Sequence, residues 1–265
     1  MTPLKILFWN IKDNNLSLIY KELLKESADI MLFCEGTPFN QTALKAIREQ
    51  YELIQPIEEC NIHVFVKKGI KVLQVQSKKR YILIRCVTKG LSFNLVGLHL
   101  QSQLYTQQIA HRQQTILNLK NMISSYEAAS DEKTVLIGDF NINPYDQEMT
   151  SYIFFNAVSF MDLMENDLVR HQGEIYKKFY NPMLELISEE QKNYGSYFYP
   201  DEGMCWHFFD QCLLRKEILP FFKGVKLIKK LGNIHLISNK VPNKKISDHL
   251  PIVLHLGGKN HDESI

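Results

Sequence analysis

The chain contains many short apolar runs, and a polar residue stands at the end of several of them. The first two cover residues 5–10 and 29–35, and the apolar residues between them recur at the spacing of an amphipathic helix. The chain therefore begins with a strand, a helix and a strand, and Asn10 and Glu35 end the two strands. Buried strands of this kind must be covered on both faces, which favours two packed sheets over a bundle of helices.

The remaining pattern mixes strands and helices along the whole chain. Apolar runs bounded by turn residues predict further strands at residues 51–55, 62–67, 70–76, 81–88, 91–98, 134–138, 208–214 and 251–256. Helical spacing predicts helices at residues 41–50 and 107–126, whereas residues 144–205 are predicted to be irregular, with a helix or two and a long loop. Since no linker or repeat interrupts it, the pattern indicates one α/β domain over residues 1–256 and a polar tail at residues 257–265.

The charge balance is nearly even, because 31 Lys and Arg against 29 Asp and Glu give a formal net charge of +2. Such a chain shows no sign of a uniformly basic surface for nucleic acid, although a local basic groove stays open. Seven lysines gather late in the chain, where a solvated surface is the simpler interpretation. They are Lys223, Lys226, Lys229, Lys230, Lys240, Lys244 and Lys245.

The five cysteines are odd in number and include no Cys-x-x-Cys pair, which predicts reduced thiols instead of disulfides or a zinc site. The sequence shows no signal-peptide core and no apolar stretch of the roughly 18–20 residues that a membrane span needs. We therefore expect a cytoplasmic protein without stable membrane insertion. Its oligomeric state stays open.

Polar residues suited to metal and phosphate chemistry stand at or beside the ends of the predicted strands. They are Asn10, Glu35, His99, Asp139, Asn141, Asp248 and His249. Carboxylate and amide oxygens are ligands for Mg²⁺, and histidines beside carboxylates can act as base and acid in phosphodiester cleavage. Each Asp or Asn alone fits a turn or a helix cap equally well. The set is chemically sufficient for metal-dependent phosphodiester hydrolysis, and it is the resemblance described next that favours a single site.

Six short motifs occur in an order that is shared with one known family. They are Phe8-Trp9-Asn10, Asp29 to Glu35, Gly97-Leu98-His99-Leu100, Gly138-Asp139-Phe140-Asn141, Trp206 to Asp210, and Ser247-Asp248-His249-Leu250-Pro251. The ordered set resembles the endonuclease/exonuclease/phosphatase superfamily, which includes deoxyribonuclease I, AP endonucleases and neutral sphingomyelinases. The resemblance implies an α/β fold of the DNase I type, a four-layer α/β/β/α sandwich in which helices flank two central mixed sheets.

The resemblance also implies how the site binds metal and phosphate. Glu35 is expected to bind Mg²⁺ or Mn²⁺, with Asn10 and Asp248 as further ligands, either directly or through water. Asp139 and Asn141 are expected to orient the nucleophile and the scissile phosphate as part of catalysis. The amides of Asn10 and Asn141 also suit direct contacts with the substrate.

Three further catalytic roles follow from the same resemblance. His249 is expected to be the general base or a transition-state stabiliser, with Asp210 holding its tautomer. His99 is expected to be the acid toward the leaving group. AP endonucleases carry a tyrosine at this place, so the chain resembles the histidine-bearing branch of deoxyribonuclease I and the sphingomyelinases.

Three functions remain open at this point. The first is an endo- or exonuclease for DNA or RNA. Its phosphate contacts would come from Arg80, Arg85, Arg112 and the late lysines, and bases could stack on the aromatic residues of 194–199. The second is a sphingomyelinase-like phosphodiesterase or phosphatase of a lipid head group or small molecule, which an exposed apolar loop in residues 150–205 would favour. The third is an inactive interaction module, which the complete set of polar residues argues against.

Overall fold

Strands and helices alternate along the chain in a computed structural model that describes residues 3–12, 14–88, 90–102, 106–130, 132–187, 193–200, 203 and 205–258. The strands are β1 (Leu4–Asn10), β2 (Ile30–Cys34), β3 (Tyr51–Ile54), β4 (Ile62–Lys67), β5 (Lys71–Lys78), β6 (Tyr81–Thr88), β7 (Leu91–His99), β8 (Thr134–Asp139), β9 (Ala157–Val158), β10 (Leu168–His171), β11 (Glu174–Lys177), β12 (Phe179–Tyr180), β13 (Tyr197–Phe198), β14 (Trp206–His207), β15 (Asp210–Leu214), β16 (Phe222–Leu227), β17 (Lys230–Leu231), β18 (Ile234–His235), β19 (Ile237–Ser238), β20 (Val241–Pro242) and β21 (Ile252–Leu256). The α-helices are α1 (Tyr20–Lys25), α2 (Gln41–Ile47), α3 (Thr106–Ala129) and α4 (Gln147–Thr150). Short 3-10 helices occur at Leu16–Leu18, Met161–Met164, Pro182–Leu186 and Lys216–Phe221.

Two large sheets form the centre of the fold. The first has six strands in the order β16-β21-β1-β2-β4-β3, and the second has seven in the order β5-β6-β7-β8-β15-β12-β9. The first sheet contains one parallel pair, β1 with β2, and the second contains two, β7 with β8 and β9 with β12; the other neighbours are antiparallel. Helices join β1 to β2 and β7 to β8. Both sheets are therefore mixed, as the family resemblance implies.

Three buried layers of apolar side chains hold the sheets and helices together. Phe8 of β1 packs in the core between the sheets, whereas the next residue, Trp9, points to the opposite face and packs with Ile47 of α2. On the far side of the second sheet, Leu136 of β8 packs with Ile116 of α3. Burial of each large apolar side chain contributes about 1.5–3 kcal/mol, so these layers are the main stabilising contribution. The order helix, sheet, sheet, helix confirms the expected four-layer sandwich.

Strand register brings the polar strand ends to one edge of the sandwich. In the β1–β2 pair, Asn10 lies opposite Cys34, the residue before Glu35. In the second sheet, Asp139 lies opposite both His99 of β7 and Asp210 of β15. Because the register of each pair is continuous, these polar side chains meet at the same edge of the two sheets.

Near the beginning of the chain, the helix boundaries in the structure differ from those that the sequence predicts. The segment after β1 divides at Ile19, whose φ of −118° and ψ of 4° are not helical, so that a 3-10 turn precedes a short α1. Helix α2 ends at Ile47, before the predicted end at residue 50. Periodicity shows which residues face the core, but it does not show where backbone geometry interrupts a helix.

Residues 144–205 are more regular than the sequence predicts. They form α4, the short strands β9 and β12, the β10–β11 hairpin and β13, although residues 188–192, 201, 202 and 204 lie outside the described residues. Strands β9 and β12 have only two residues each; β12 pairs with β15, and β9 pairs with β12 at the edge of the sheet. Such short strands depend on distant partners and leave no periodic signal in the sequence.

All five cysteines are free, and Cys34, Cys86 and Cys212 are buried, as expected for reduced thiols. Within the described part of the chain, every helix lacks the combination of length and apolar character that a membrane crossing requires. Of the predicted tail, residues 257 and 258 are described, and the rest lies outside the described residues.

Candidate active site

The side chain of Asn10 joins polar groups from both sheets at this edge. Its Nδ2 donates hydrogen bonds to Glu35 Oε1 at 3.1 Å and to Asp139 Oδ2 at 2.9 Å. Its Oδ1 accepts a hydrogen bond from the backbone N–H of Lys12 at 3.0 Å, which holds the amide in this orientation. Asn10 is 1 % exposed. One buried amide therefore keeps a carboxylate of the first sheet beside a carboxylate of the second.

Glu35 leaves strand β2 in an unusual backbone conformation and faces His99. Its φ is 58°, in the left-handed region, and Gly36 continues the turn with a φ of 64°. Strain of this kind costs about 1–3 kcal/mol and is common at functional sites. The Nε2 of His99 lies 3.2 Å from Glu35 Oε1. The hydrogen bond with His99 lowers the pKa of Glu35 to about 2 even though partial burial opposes the shift, so the group is a carboxylate at neutral pH.

Asp139 and Asn141 form a tight turn after β8. The backbone N–H of Asn141 donates to Asp139 Oδ1 at 2.9 Å, and the Asn141 side chain donates from Nδ2 to the Leu100 carbonyl at 2.9 Å. Asn141 has a φ of 52°, which asparagine tolerates better than most residues. The motif is thus a turn, and the same turn places both side chains on the wall of a cleft.

A buried histidine–carboxylate pair lies behind Asp139. His249 Nδ1 and Asp210 Oδ2 are 2.8 Å apart, and Asp210 is fully buried. The other ring nitrogen of His249, Nε2, lies 3.9 Å from Asp139 Oδ2. Burial disfavours the charged imidazolium, but the nearby carboxylates of Asp210, Asp139 and Asp248 raise the pKa of His249 to about 9.

The Ser247–His249 turn is attached to β1 by hydrogen bonds. Ser247 Oγ donates to the Asn10 carbonyl at 2.7 Å and accepts from the His249 backbone N–H at 3.0 Å. The indole Nε1 of Trp9 donates to the His249 carbonyl at 3.0 Å. These bonds give Ser247, before Asp248 and His249, and Trp9, before Asn10, a structural role.

Asp248 forms an ion pair with Lys12, a residue that the sequence patterns do not single out. Lys12 lies in the turn after β1 with a φ of 44°, and its side chain remains half exposed. A lysine after a strand is typical of a solvated surface, so only the fold reveals that this one enters the site.

All eight residues that the sequence singles out meet at one cleft of about 300 Å³ or directly behind it. Two of the three arginines predicted to contact phosphate do not line this cleft. Arg112 is 1 % exposed and forms an ion pair with Glu148 at 2.6 Å, and Arg85 lines a separate surface cavity beside α3. Of the three arginines, Arg80 alone lines the cleft, where it joins Lys12.

No protein-family model and no curated protein matches the chain. Solved structures match it in fold. TDP2 of D. rerio, in complex with a single-strand DNA product, is 14% identical, with a TM-score of 0.61 over 97% of this chain and 100% of that chain. The 3′ phosphatase NExo from Neisseria, bound to a product DNA hairpin, is 16% identical, with a TM-score of 0.61 over 95% and 98%. A mannosyl-6-phosphatase of Bacteroides thetaiotaomicron is 14% identical, with a TM-score of 0.60 over 96% and 99%. The chain has the fold of endonuclease/exonuclease/phosphatase family proteins.

In this endonuclease/exonuclease/phosphatase fold, the donor atoms at the strand ends suit a divalent cation. Glu35, His99 and Asp139 each offer a ligand atom, and these atoms lie within 4.8 Å of one another. Asp248 Oδ1 is buried, and no described residue forms a hydrogen bond with it. An oxygen-rich set with an unsatisfied carboxylate oxygen fits Mg²⁺ or Mn²⁺ better than a soft metal.

Proposed function

We propose that the protein is a divalent-metal-dependent phosphodiester hydrolase that acts on DNA or RNA. The observation that carries the proposal is the convergence of Glu35, Asp139 and Asp248 with His99 and His249 in one cleft. Phosphodiester hydrolysis needs charge neutralisation at phosphorus, a nucleophilic water and a proton for the leaving group. The cleft contains a group suited to each need.

Glu35, with Asn10 and Asp248, is proposed to hold Mg²⁺ or Mn²⁺. When bound, such an ion neutralises the charge that develops on the phosphate. Asn10 uses its Nδ2 to orient Glu35 and Asp139, so its support of the metal is partly indirect. Its amide and that of Asn141 are also proposed to contact the substrate.

His249 is proposed to act on the nucleophile or the phosphoryl oxygen through Nε2. Its Nδ1 forms the contact with Asp210, so its Nε2 faces Asp139 and the cleft. The raised pKa of His249 favours the stabilising role, because an imidazolium donates a hydrogen bond from Nε2 to a developing negative charge. Asp139, which accepts the Asn141 backbone N–H, is proposed to orient the nucleophile with Asn141.

His99 is proposed to protonate the leaving group. Its Nε2 lies 3.2 Å from Glu35 Oε1 and 3.9 Å from Asp139 Oδ2, at the wall of the cleft. It lines the cleft on the side opposite the Asp210–His249 pair in the strand order, since β7 and β15 flank β8.

Two relatives with bound DNA support nucleic acid as the substrate, as do Arg80 and Lys12 in the cleft. The second candidate is a small phosphate ester or lipid head group. It is supported by the sugar phosphatase among the matching structures and by the small cleft volume of about 300 Å³. Exposed Phe160, Met161 and Leu163 favour a lipid, although they follow β9 at the far edge of the second sheet and do not line the cleft.

Removal of metal is expected to abolish activity. Hydrolysis of bis-p-nitrophenyl phosphate should require Mg²⁺ or Mn²⁺ and stop with EDTA, because no other group in the proposal neutralises the phosphate as strongly. The Glu35→Gln variant keeps the shape of the side chain and should bind Mn²⁺ at least about tenfold more weakly, as measured by calorimetry. Hydrolysis that persists in EDTA would contradict the proposed function.

A panel of substrates under these conditions separates the candidates. Single-stranded DNA, duplex DNA, RNA, sphingomyelin and sugar phosphates are compared at equal metal concentration. Preference for nucleic acid supports the first candidate, and preference for sphingomyelin or a sugar phosphate supports the second. No hydrolysis of any of them would favour the inactive module.

Asn10→Ala is expected to weaken Mn²⁺ binding by about 10–100-fold, because loss of a group that orients metal ligands has effects of this size. Calorimetry measures the affinity, and thermal melting shows that the variant is folded. Asn118→Ala on the exposed face of α3 is a matched control and should bind Mn²⁺ like the wild type. An unchanged affinity in Asn10→Ala would remove Asn10 from the metal site.

A cytoplasmic location and a single domain over residues 1–256 remain predictions from the sequence. The free thiols are consistent with a reducing compartment. Size-exclusion chromatography with light scattering would establish the oligomeric state.

A further inference from the structure

The late lysines form a strongly basic segment that the proposed chemistry does not use. Residues 219–247 contain seven lysines and no aspartate or glutamate, in a chain whose formal net charge is only +2. The next residue is Asp248 of the cleft. Positive charge is therefore concentrated immediately before the proposed catalytic turn.

Two consecutive hairpins carry most of these lysines. Strands β17 and β18 form the first hairpin, and β19 and β20 form the second; we call residues 229–245 the double hairpin. Lys230, Lys240, Lys244 and Lys245 are exposed on it. The Asn243 carbonyl accepts the backbone N–H of Ser247 at 3.1 Å, so the double hairpin is bonded directly to the Ser247–His249 turn.

Aromatic rings connect the cleft with the double hairpin. Tyr197 packs on His249 with ring centroids 4.4 Å apart, and its neighbour Phe198 packs on Trp206 at 5.3 Å. Trp206 in turn contacts Tyr194 at 6.0 Å. Tyr194 is 46% exposed, so the last ring of this series is open to solvent.

Tyr194 and the double hairpin share one surface cavity of about 560 Å³. Its walls are Tyr194, Lys229, Lys230, His235, Ile237 and Lys240. Ammonium groups beside an exposed ring match the chemistry of a nucleic-acid strand, which presents regularly spaced phosphates and flat bases. Among the described residues, Glu22 of α1 brings a carboxylate to the double hairpin, where it lies against Gly232 and is paired with Lys25.

We propose that the double hairpin and Tyr194 bind a single-stranded nucleic acid next to the scissile phosphate. The lysines contact the phosphates, and Tyr194 stacks on a base, which requires a base that is not paired. This inference rests on the proposed function for the position of the scissile phosphate. The binding surface itself does not include any residue of the proposed catalytic site.

The test compares two lysine pairs by fluorescence anisotropy with a labelled oligothymidylate in EDTA. Lys230→Gln with Lys240→Gln should raise the Kd and make the slope of log Kd against log salt shallower by about 1.4, the value for two lost phosphate contacts on a single strand. Lys68→Gln with Lys71→Gln is the matched control. Lys68 follows β4 and Lys71 begins β5, and both are exposed at the end of these strands that lies away from the cleft. Their replacement should leave the salt slope unchanged.

Two further measurements complete the test. Tyr194→Leu should weaken binding of the single strand by roughly fivefold or more and leave binding of a duplex of equal length unchanged. The Lys230/Lys240 double variant should hydrolyse bis-p-nitrophenyl phosphate at the wild-type rate. An unchanged salt slope overturns the lysine contacts, and unchanged binding in Tyr194→Leu overturns stacking. Failure of the wild type to hydrolyse any diester overturns the proposed function alone, because the anisotropy is measured without metal.

Discussion

Replacing His249 by asparagine is expected to lower kcat for a phosphodiester by about 10²–10⁴-fold, the usual contribution of a positioned acid or base. Asparagine is the sharpest substitution because its amide nitrogen can keep the bond to Asp210 while Nε2 is removed. His249 Nδ1 lies 2.8 Å from Asp210, so the two functions of the ring are separable in this way. KM should change little if the ring acts mainly in the transition state.

His255→Asn is the matched control for this prediction. His255 lies six residues further along the chain, near the end of β21, and pairs with Lys5 at the end of the sheet opposite the cleft. Its variant should retain kcat to within a factor of about two, as expected for a substitution away from special features. Steady-state kinetics with bis-p-nitrophenyl phosphate measures both variants, and circular dichroism shows whether they are folded. Wild-type kcat in folded His249→Asn would refute the role of this histidine.

The strand ends were predictable from the sequence because each strand is buried on both faces. Trp9 packs against helices and Phe8 against the other sheet, so the run before Asn10 is continuously apolar and ends where the chain reaches solvent and the cleft. The same reasoning applies to Ile137 and Asp139 in β8. A polar residue after such a run is visible without any knowledge of its partners.

The partners of these residues were not predictable by the same means. Lys12 pairs with Asp248, which is 236 positions away, and only the pairing of β1 with β21 brings the two turns together. Arg112 illustrates the opposite error, because an arginine suggests a phosphate contact, whereas this one lies on the core-facing side of α3 and is buried. Its actual partner, Glu148, lies in a segment without a periodic signal.

Asp139 and Asn141 form a turn in the structure, and the same geometry is compatible with their proposed role in the site. The Asn141 N–H caps the Asp139 carboxylate, which is the bonding pattern of an ordinary Asx turn. The same bond fixes the carboxylate beside Asn10 and His249. Local sequence therefore cannot separate a structural turn from a catalytic one, and the surrounding strand ends must do so.

Replacing Arg112 by methionine is expected to reduce the free energy of unfolding by about 3–5 kcal/mol, because it leaves a buried carboxylate without its partner. Arg112 is 1 % exposed, and its Nη2 donates to Glu148 at 2.6 Å. Its Nη1 also donates to the Asn141 carbonyl at 3.2 Å, so the variant should lower kcat as well as stability. Urea denaturation measures the first effect and hydrolysis of a diester measures the second.

The double variant Arg112→Met with Glu148→Leu tests whether the loss comes from the unpaired carboxylate. Since the buried charge is then absent, most of the lost stability should return, while the Asn141 carbonyl still lacks its donor and kcat stays low. Gln114→Met on the exposed face of α3 is the control for a methionine in this helix and should change stability by less than about 0.5 kcal/mol. If the double variant is no more stable than Arg112→Met, the packing of the arginine stem, and not its charge, links α3 to the turn that carries Asn141.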